Sequence, residues 1–179
     1  MKVVLISGKA RSGKDQSAKI LENILTMRGN RVLIIHYADF LKFFCKQHLG
    51  FTSKEAPGGR ELLQHFGTDV VRKNYQDTWV DMVIALLKGI ITEYDYVIIP
   101  DVRFPNEVEK MKNNFQCVTL RLIRPVFKTE LTQEEQSHIS ETALDDYEFE
   151  HIIFNSGTLD DLGESLEYFA DYLQGENWA

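Results

Sequence analysis

Residues 2–15 read Lys2-Val3-Val4-Leu5-Ile6-Ser7-Gly8-Lys9-Ala10-Arg11-Ser12-Gly13-Lys14-Asp15, and this stretch decides the fold. Val3 to Ile6 is a continuous apolar run rich in β-branched residues, the mark of a strand buried on both faces. Residues 14 to 28 repeat apolar positions at Ala18, Leu21, Ile24 and Leu25, and the pattern stops at Arg28-Gly29, which predicts a helix. Between strand and helix lies GxxxxGK. Its glycines let backbone N–H groups wrap phosphate oxygens, the helix start adds its positive end, and Lys14 is placed to reach β and γ phosphates. Gly8, Ala10, Arg11, Ser12, Gly13 and Lys14 are therefore the expected phosphate-binding set. Asp15 stands where the general pattern has a Mg²⁺-binding Ser or Thr. It either partners the cation that must separate a carboxylate from polyphosphate, or is a first-turn carboxylate favoured by the helix dipole.

Further apolar runs at Val32–Ile35, Val97–Ile99, Val118–Ile123 and His151–Phe154 extend the pattern. Strands alternating with helices predict an α/β fold around a parallel sheet. The stretch 39–93 reads as several helices broken at Gly50, at Pro57-Gly58-Gly59 and at Gly67, ending in a helix with Trp79, Val83, Leu86 or Leu87, and Ile90 on one face. A helix over about 105–113 takes Pro105 in its first turn. Residues 125–146 turn polar, with a helix start at Thr129–Glu135, and read either as a solvated excursion or as a mobile lid. The last helix opens with Thr158-x-x-Asp161 and presents Leu162, Leu166, Phe169, Ala170 and Leu173 on one face. Ile99-Pro100-Asp101 closes the third strand with an acid at its carboxyl end, where open parallel sheets meet nucleotide and metal. Asp101 is thus the second Mg²⁺ candidate, its alternative being a polar loop cap.

The 179 residues suit one domain, and a formal charge of −7 excludes a broad basic surface for a nucleic-acid polymer. Cys45 and Cys117 lie apart with no CxxC, so neither a disulfide framework nor a zinc site is expected. The opening apolar run is too short for a signal sequence and no stretch reaches membrane-span length, which predicts a cytoplasmic protein without a membrane partner. A GTP-dependent switch is disfavoured: NKxD is absent, and the DxxG match Asp160–Gly163 falls in the last helix.

GKARSGKD at 8–15, Asp101-Val102-Arg103-Phe104-Pro105-Asn106-Glu107, and His138-Ile139-Ser140-Glu141 followed by Asn155-Ser156-Gly157-Thr158 together resemble the phage-type deoxynucleoside monophosphate kinases, within the P-loop nucleoside monophosphate kinases. Arg60-Glu61-Leu62-Leu63-Gln64-His65-Phe66-Gly67-Thr68-Asp69, with Arg72 and Trp79, is similar too, and the Asp after GK belongs to that pattern. The resemblance implies a P-loop fold with a five-stranded parallel sheet, and ATP and Mg²⁺ as cofactors. It implies phosphoryl transfer to a deoxynucleoside monophosphate, giving the diphosphate and ADP. It divides a single domain 1–179 into a core (1–38, 94–124, 147–179), an acceptor-binding helical region (39–93) and a lid (125–146). Animal phosphomevalonate kinases share a subset of these features, and a non-catalytic nucleotide-binding module is the other alternative.

Phosphoryl transfer asks for positioning and charge neutralisation. Arg103 and Arg124 join Lys14 as the catalytic candidates, Arg124 as a lid arginine at the exit of the fourth strand, while Arg121 inside that strand is expected to be structural. By resemblance, Asp39, Lys42, Arg60, Gln64, Asp69, Arg72 and Arg103 hold the acceptor, His138 and Glu141 come in on closure, and Asn155 borders the nucleotide. Trp79 either stacks a base or packs in the core. His36, His48, His65 and His151 show no partner spacing and are read as structural.

Overall fold

The computed structural model describes residues 1–125 and 132–175. Five parallel strands, β1 (Lys2–Ser7), β2 (Val32–Ile34), β3 (Tyr96–Ile99), β4 (Gln116–Ile123) and β5 (His151–Phe154), form one sheet in the order β2-β3-β1-β4-β5. β1 lies at the centre, with Val3, Val4, Leu5 and Ile6 all at 0% exposure. Alternation then sends its side chains to two cores. Val3 and Leu5 join α2 (Ala38–His48), α4 (Thr78–Gly89) and α5 (Pro105–Lys112), whereas Val4 and Ile6 join α1 (Lys14–Met27) and α8 (Leu159–Gln174). A strand with no polar face has no other stable place than between two helical layers.

The predicted elements are present with ends moved by one or two residues, and β5 differs in burial. Ile152 and Phe154 are exposed, because β5 is an edge strand covered on one side by α8. In the last helix Thr158 caps as its sequence pattern predicts: its hydroxyl accepts from Asp161 N and the Asp161 carboxylate accepts from Thr158 N. In α4, Leu87 is buried and Leu86 faces outward, which resolves the choice the periodicity left open.

One expected break is absent. Helix α3 (Gly59–Gln64) runs without interruption into a π-helical stretch, His65–Arg72, so Gly67 lies inside a helix. A Cβ at Gly67 would sit 2.6 Å from Leu41 Cδ2 of α2, so the missing side chain serves close helix packing rather than a turn. In the polar excursion, α6 (Gln133–Ser137) and α7 (Ile139–Thr142) are short helices. Thr132 caps α6 with its hydroxyl toward Glu135 N, so the start lies three residues beyond Thr129, which falls outside the described residues.

Candidate active site

The phosphate loop joins β1 to α1 at the carboxyl edge of the sheet. Gly13 holds φ 101° at the N-cap of α1, and a Cβ there would meet Asn155 Nδ2 at 2.6 Å. Asn155, on the turn after β5, donates to Ser12 O at 2.9 Å and so fastens the loop from outside. Arg11 adopts φ 59°, a left-handed conformation that costs a side-chain-bearing residue about 1–2 kcal/mol and that the loop's path imposes. Lys14 Nζ donates to Gly8 O at 2.7 Å and Lys9 O at 2.9 Å. Desolvation, reinforced by Arg103, lowers Lys14 to about 8. Ser12 Oγ is buried without a partner among the described residues.

Asp15 and Asp101 both face a cleft of about 550 Å³ that also contains Arg11, Lys14, His36 and Lys42. Asp101 accepts from Tyr37 N and Ala38 N, each at 2.9 Å, so its carboxylate caps the start of α2 while it faces the cleft. Asp15 Oδ1 lies 3.1 Å from His36 Nε2. That contact, outweighing desolvation, lowers the Asp15 pKa. His36 Nδ1 lies 3.4 Å from Asp39 Oδ2. Burial works against a charged imidazole here, yet the bonds to the two aspartates raise His36 to about 9. Desolvation likewise opposes the Asp39 carboxylate, and His36 overrides it to hold Asp39 at about 2. The reading of His36 as a residue without partners is therefore corrected: parallel strands deliver their last residues to one edge, and β2 delivers His36 to Asp15. His65, with Asp69 at 3.5 Å, and His151, against Phe169 and Tyr172, stay away from the loop.

The donor chemistry suits a cation that arrives with its ligand. Among the described residues no group of three or more His, Cys, Asp and Glu side chains could hold a metal. Mg²⁺ commonly takes only one or two carboxylates and completes its shell with phosphate and water, a demand that Asp15 and Asp101 fit.

A second, narrower cavity of about 110 Å³ opens beside the first, between α2, α3, the π-helical stretch and the start of α5. Leu41, Leu63, Trp79 and Phe104 form its apolar wall, and Gln64, Arg72 and Glu107 contribute polar groups. Trp79 packs in the core and donates Nε1–H to Gly67 O at 3.1 Å, and it also borders this cavity. Arg72 is held from three sides, by Glu107 Oε1 at 3.1 Å, Asn106 Oδ1 at 2.7 Å and the Phe104 ring at 3.6 Å. Glu107 also accepts from Arg103 N and Phe104 N, and burial pushes its pKa up. Asp69 lies outside this wall, with His138 Nε2 at 3.7 Å.

Glu141 ties the excursion to the loop. One carboxylate oxygen accepts from Ala10 N at 3.1 Å, the other pairs with Arg103, and Lys9 Nζ reaches Glu141 O at 2.7 Å. Arg60 Nε is 3.4 Å from Glu135 of α6, and Lys42 is 3.5 Å from Asp39. Arg124 NH1 approaches Arg11 O at 3.5 Å. Arg121 donates to Ser7 Oγ and Asp145, the internal partnership expected of it.

The sheet and its neighbouring helices superpose on known kinases. A mutant of the Mycobacterium tuberculosis APS kinase CysC matches with TM-score 0.58 at 12% identity over 97% of both chains. The same enzyme in complex with AMPPNP and APS matches at 0.51 and 11%, over 97% of this chain and 98% of that one. At such identity the likeness establishes the P-loop kinase fold. In sequence, a deoxynucleotide monophosphate kinase of Enterobacteria phage T4 is 30% identical over 110 residues, covering 60% of this chain and 43% of the phage protein's length. Residues 30–166 match the sequence family described as deoxynucleotide monophosphate kinase. That span takes in the helices between β2 and β3, the segment from Asp101 to Glu107 and the excursion to Glu141, and the chain belongs to the deoxynucleotide monophosphate kinase family.

Proposed function

We propose that the protein transfers the γ-phosphoryl group of ATP to the phosphate of a deoxynucleoside monophosphate, giving the diphosphate and ADP. The observation that carries this reading is the meeting of the two cavities: the one at the phosphate loop and the one walled by Trp79 and Phe104 share Arg60, Asp101 and Arg103. Two anions brought together there require cations between them, and charge neutralisation with alignment is most of what phosphoryl transfer needs.

In this mechanism the loop amides and Lys14 hold the β and γ phosphates. Mg²⁺, when bound, neutralises charge on the phosphate oxygens, with Asp15 and Asp101 to hold it. Arg103 faces both cavities and is placed to bind the acceptor phosphate and the transferred group. Arg60, Gln64 and Arg72 line the acceptor cavity, Lys42 borders its neighbour with Asp39 3.5 Å from its ammonium, and Arg124 approaches the loop at Arg11. The core, the acceptor region at 39–93 and the lid at 125–146 divide these tasks, and His138 and Glu141 belong to the lid. Residues 126–131 of that segment lie outside the described residues. An apolar wall with a few fixed polar groups suits a nucleoside base and sugar better than a short polar isoprenoid precursor.

A coupled ADP-release assay with Mg-ATP over dGMP, dTMP, dCMP, dAMP, their ribose counterparts and phosphomevalonate tests the reading. Turnover of at least one deoxynucleotide, faster than phosphomevalonate, is expected, with preference for deoxyribose. Activity confined to phosphomevalonate, or ATP binding with no turnover on any monophosphate, overturns it.

A further inference from the structure

The two cavities share a fourth residue, Lys54, which no sequence motif contains. It lies in the turn between α2 and α3. Phe51 anchors that turn: its side chain is buried and its N–H donates to Cys45 O at 3.1 Å. Ser53 Oγ accepts from Ala56 N at 3.1 Å and closes the next few residues. Lys54 is therefore presented from a braced backbone, with its side chain at the rim of both cavities.

Several of the other charges around this point are already matched. Arg103 pairs with Glu141, Arg60 with Glu135, Lys42 with Asp39, and Asp15 with His36. Among the described residues Lys54 has neither an ion pair nor a hydrogen bond from its ammonium. Desolvation and the nearby cations Lys42 and Arg103 lower its pKa, partly countered by Asp101 and Asp15. Lys54 is exposed, and a cation beside two others with no ion pair of its own is open to an incoming anion. The anion that fits is one able to touch both cavities at once.

We propose that Lys54 is a catalytic residue whose ammonium contacts the transferred phosphoryl group between donor and acceptor. This role rests on the kinase reading above. In the transfer an acceptor phosphate oxygen forms a bond to the γ phosphorus as the bond from that phosphorus to the β–γ bridging oxygen breaks. ADP departs with the bond's electron pair. Lys54 serves the charge on the group in flight, while Lys14 stays with the phosphates of ATP. An interaction made in flight and not in the bound ground state changes kcat more than binding.

The test uses Lys54→Met, which keeps the aliphatic stem, beside Lys54→Arg, which keeps the charge. With the best deoxynucleotide, Lys54→Met is expected to lower kcat by ~100-fold. ATP affinity by calorimetry and the thermal midpoint should remain at the parent values, and Lys54→Arg should recover most of the loss. A kcat for Lys54→Met within threefold of the parent overturns the role of Lys54 and leaves the kinase reading standing. Equal loss in both variants, or a matching loss of ATP affinity or of thermal midpoint, also overturns it. A parent enzyme inactive on every deoxynucleotide removes the kinase reading, and the role of Lys54 with it.

Discussion

At the scale of single residues, the cleft beside the phosphate loop gathers charges that desolvation makes costly. Lys14 is the plainest instance: it donates to carbonyls of its own loop, and desolvation has already lowered it to about 8. Phosphate oxygens offer that ammonium a stronger, charge-assisted partner than carbonyls do. Lys14→Ala is expected to leave the protein folded and reduce turnover by about 10³, equivalent to roughly 4 kcal/mol of transition-state stabilisation. Circular dichroism with a steady-state assay checks both halves, and near-normal kcat in the folded variant removes Lys14 from the mechanism. Lys14 was legible because spacing alone carries the phosphate-loop pattern. His36 and Lys54 were not: Asp39 lies three residues from His36, but Asp15, and the cavity walls around Lys54, come from segments distant in the chain.

At the scale of elements, a side-chain staple joins the start of the short edge strand β2 to the residue before β3. Asp95, just before β3, accepts from Arg31 N at 2.8 Å and Arg31 Nε at 3.1 Å, and its other oxygen accepts from Arg31 NH2 at 2.9 Å. These bonds hold Asp95 at about 2. The folded pKa lies below that of an unfolded aspartate, so the stability Asp95 contributes is fully present above pH ~4 and is lost as pH falls through about 2. Urea unfolding of the parent and Asp95→Asn is therefore expected to differ most above pH 4 and to converge toward pH 2. A difference constant across that range shows that the charge of Asp95 plays no part. The elements themselves were legible wherever burial is two-sided or periodic, as in β1 and α8. Gly67 misled because its lack of a side chain signals a turn in isolation, whereas the approach of Leu41 gives it a packing use that only the assembled helices reveal.

For the molecule as a whole, the excursion after β4 is docked across the site it is expected to cover. Glu135 meets Arg60, His138 meets Asp69, and Glu141 occupies the Ala10 amide and Arg103 together. Arg60 and Arg103, which line both cavities, each hold this excursion through a carboxylate, so ligand bound between them is expected to tighten residues 132–146. A bisubstrate analogue joining adenosine to a deoxynucleoside through a polyphosphate is expected to slow hydrogen exchange across 132–146. Unchanged exchange there, with the analogue shown to be bound, excludes closure. The sequence by itself determined the phosphate loop, the five strands and the layered α/β architecture, because each depends on local spacing or on continuous apolar runs. It also marked Asp101 and Arg103, which sit directly after a strand at the edge where such sheets bind ligands. Only the tertiary structure decided that Arg72 is locked by Glu107 and Phe104, that His36 bridges Asp15 and Asp39, and that two cavities meet at Lys54. Apart from the contact of His36 with Asp39, those relations join residues distant in the chain, and a charge's neighbours at that separation are set by how helices pack on the sheet, which no local pattern encodes.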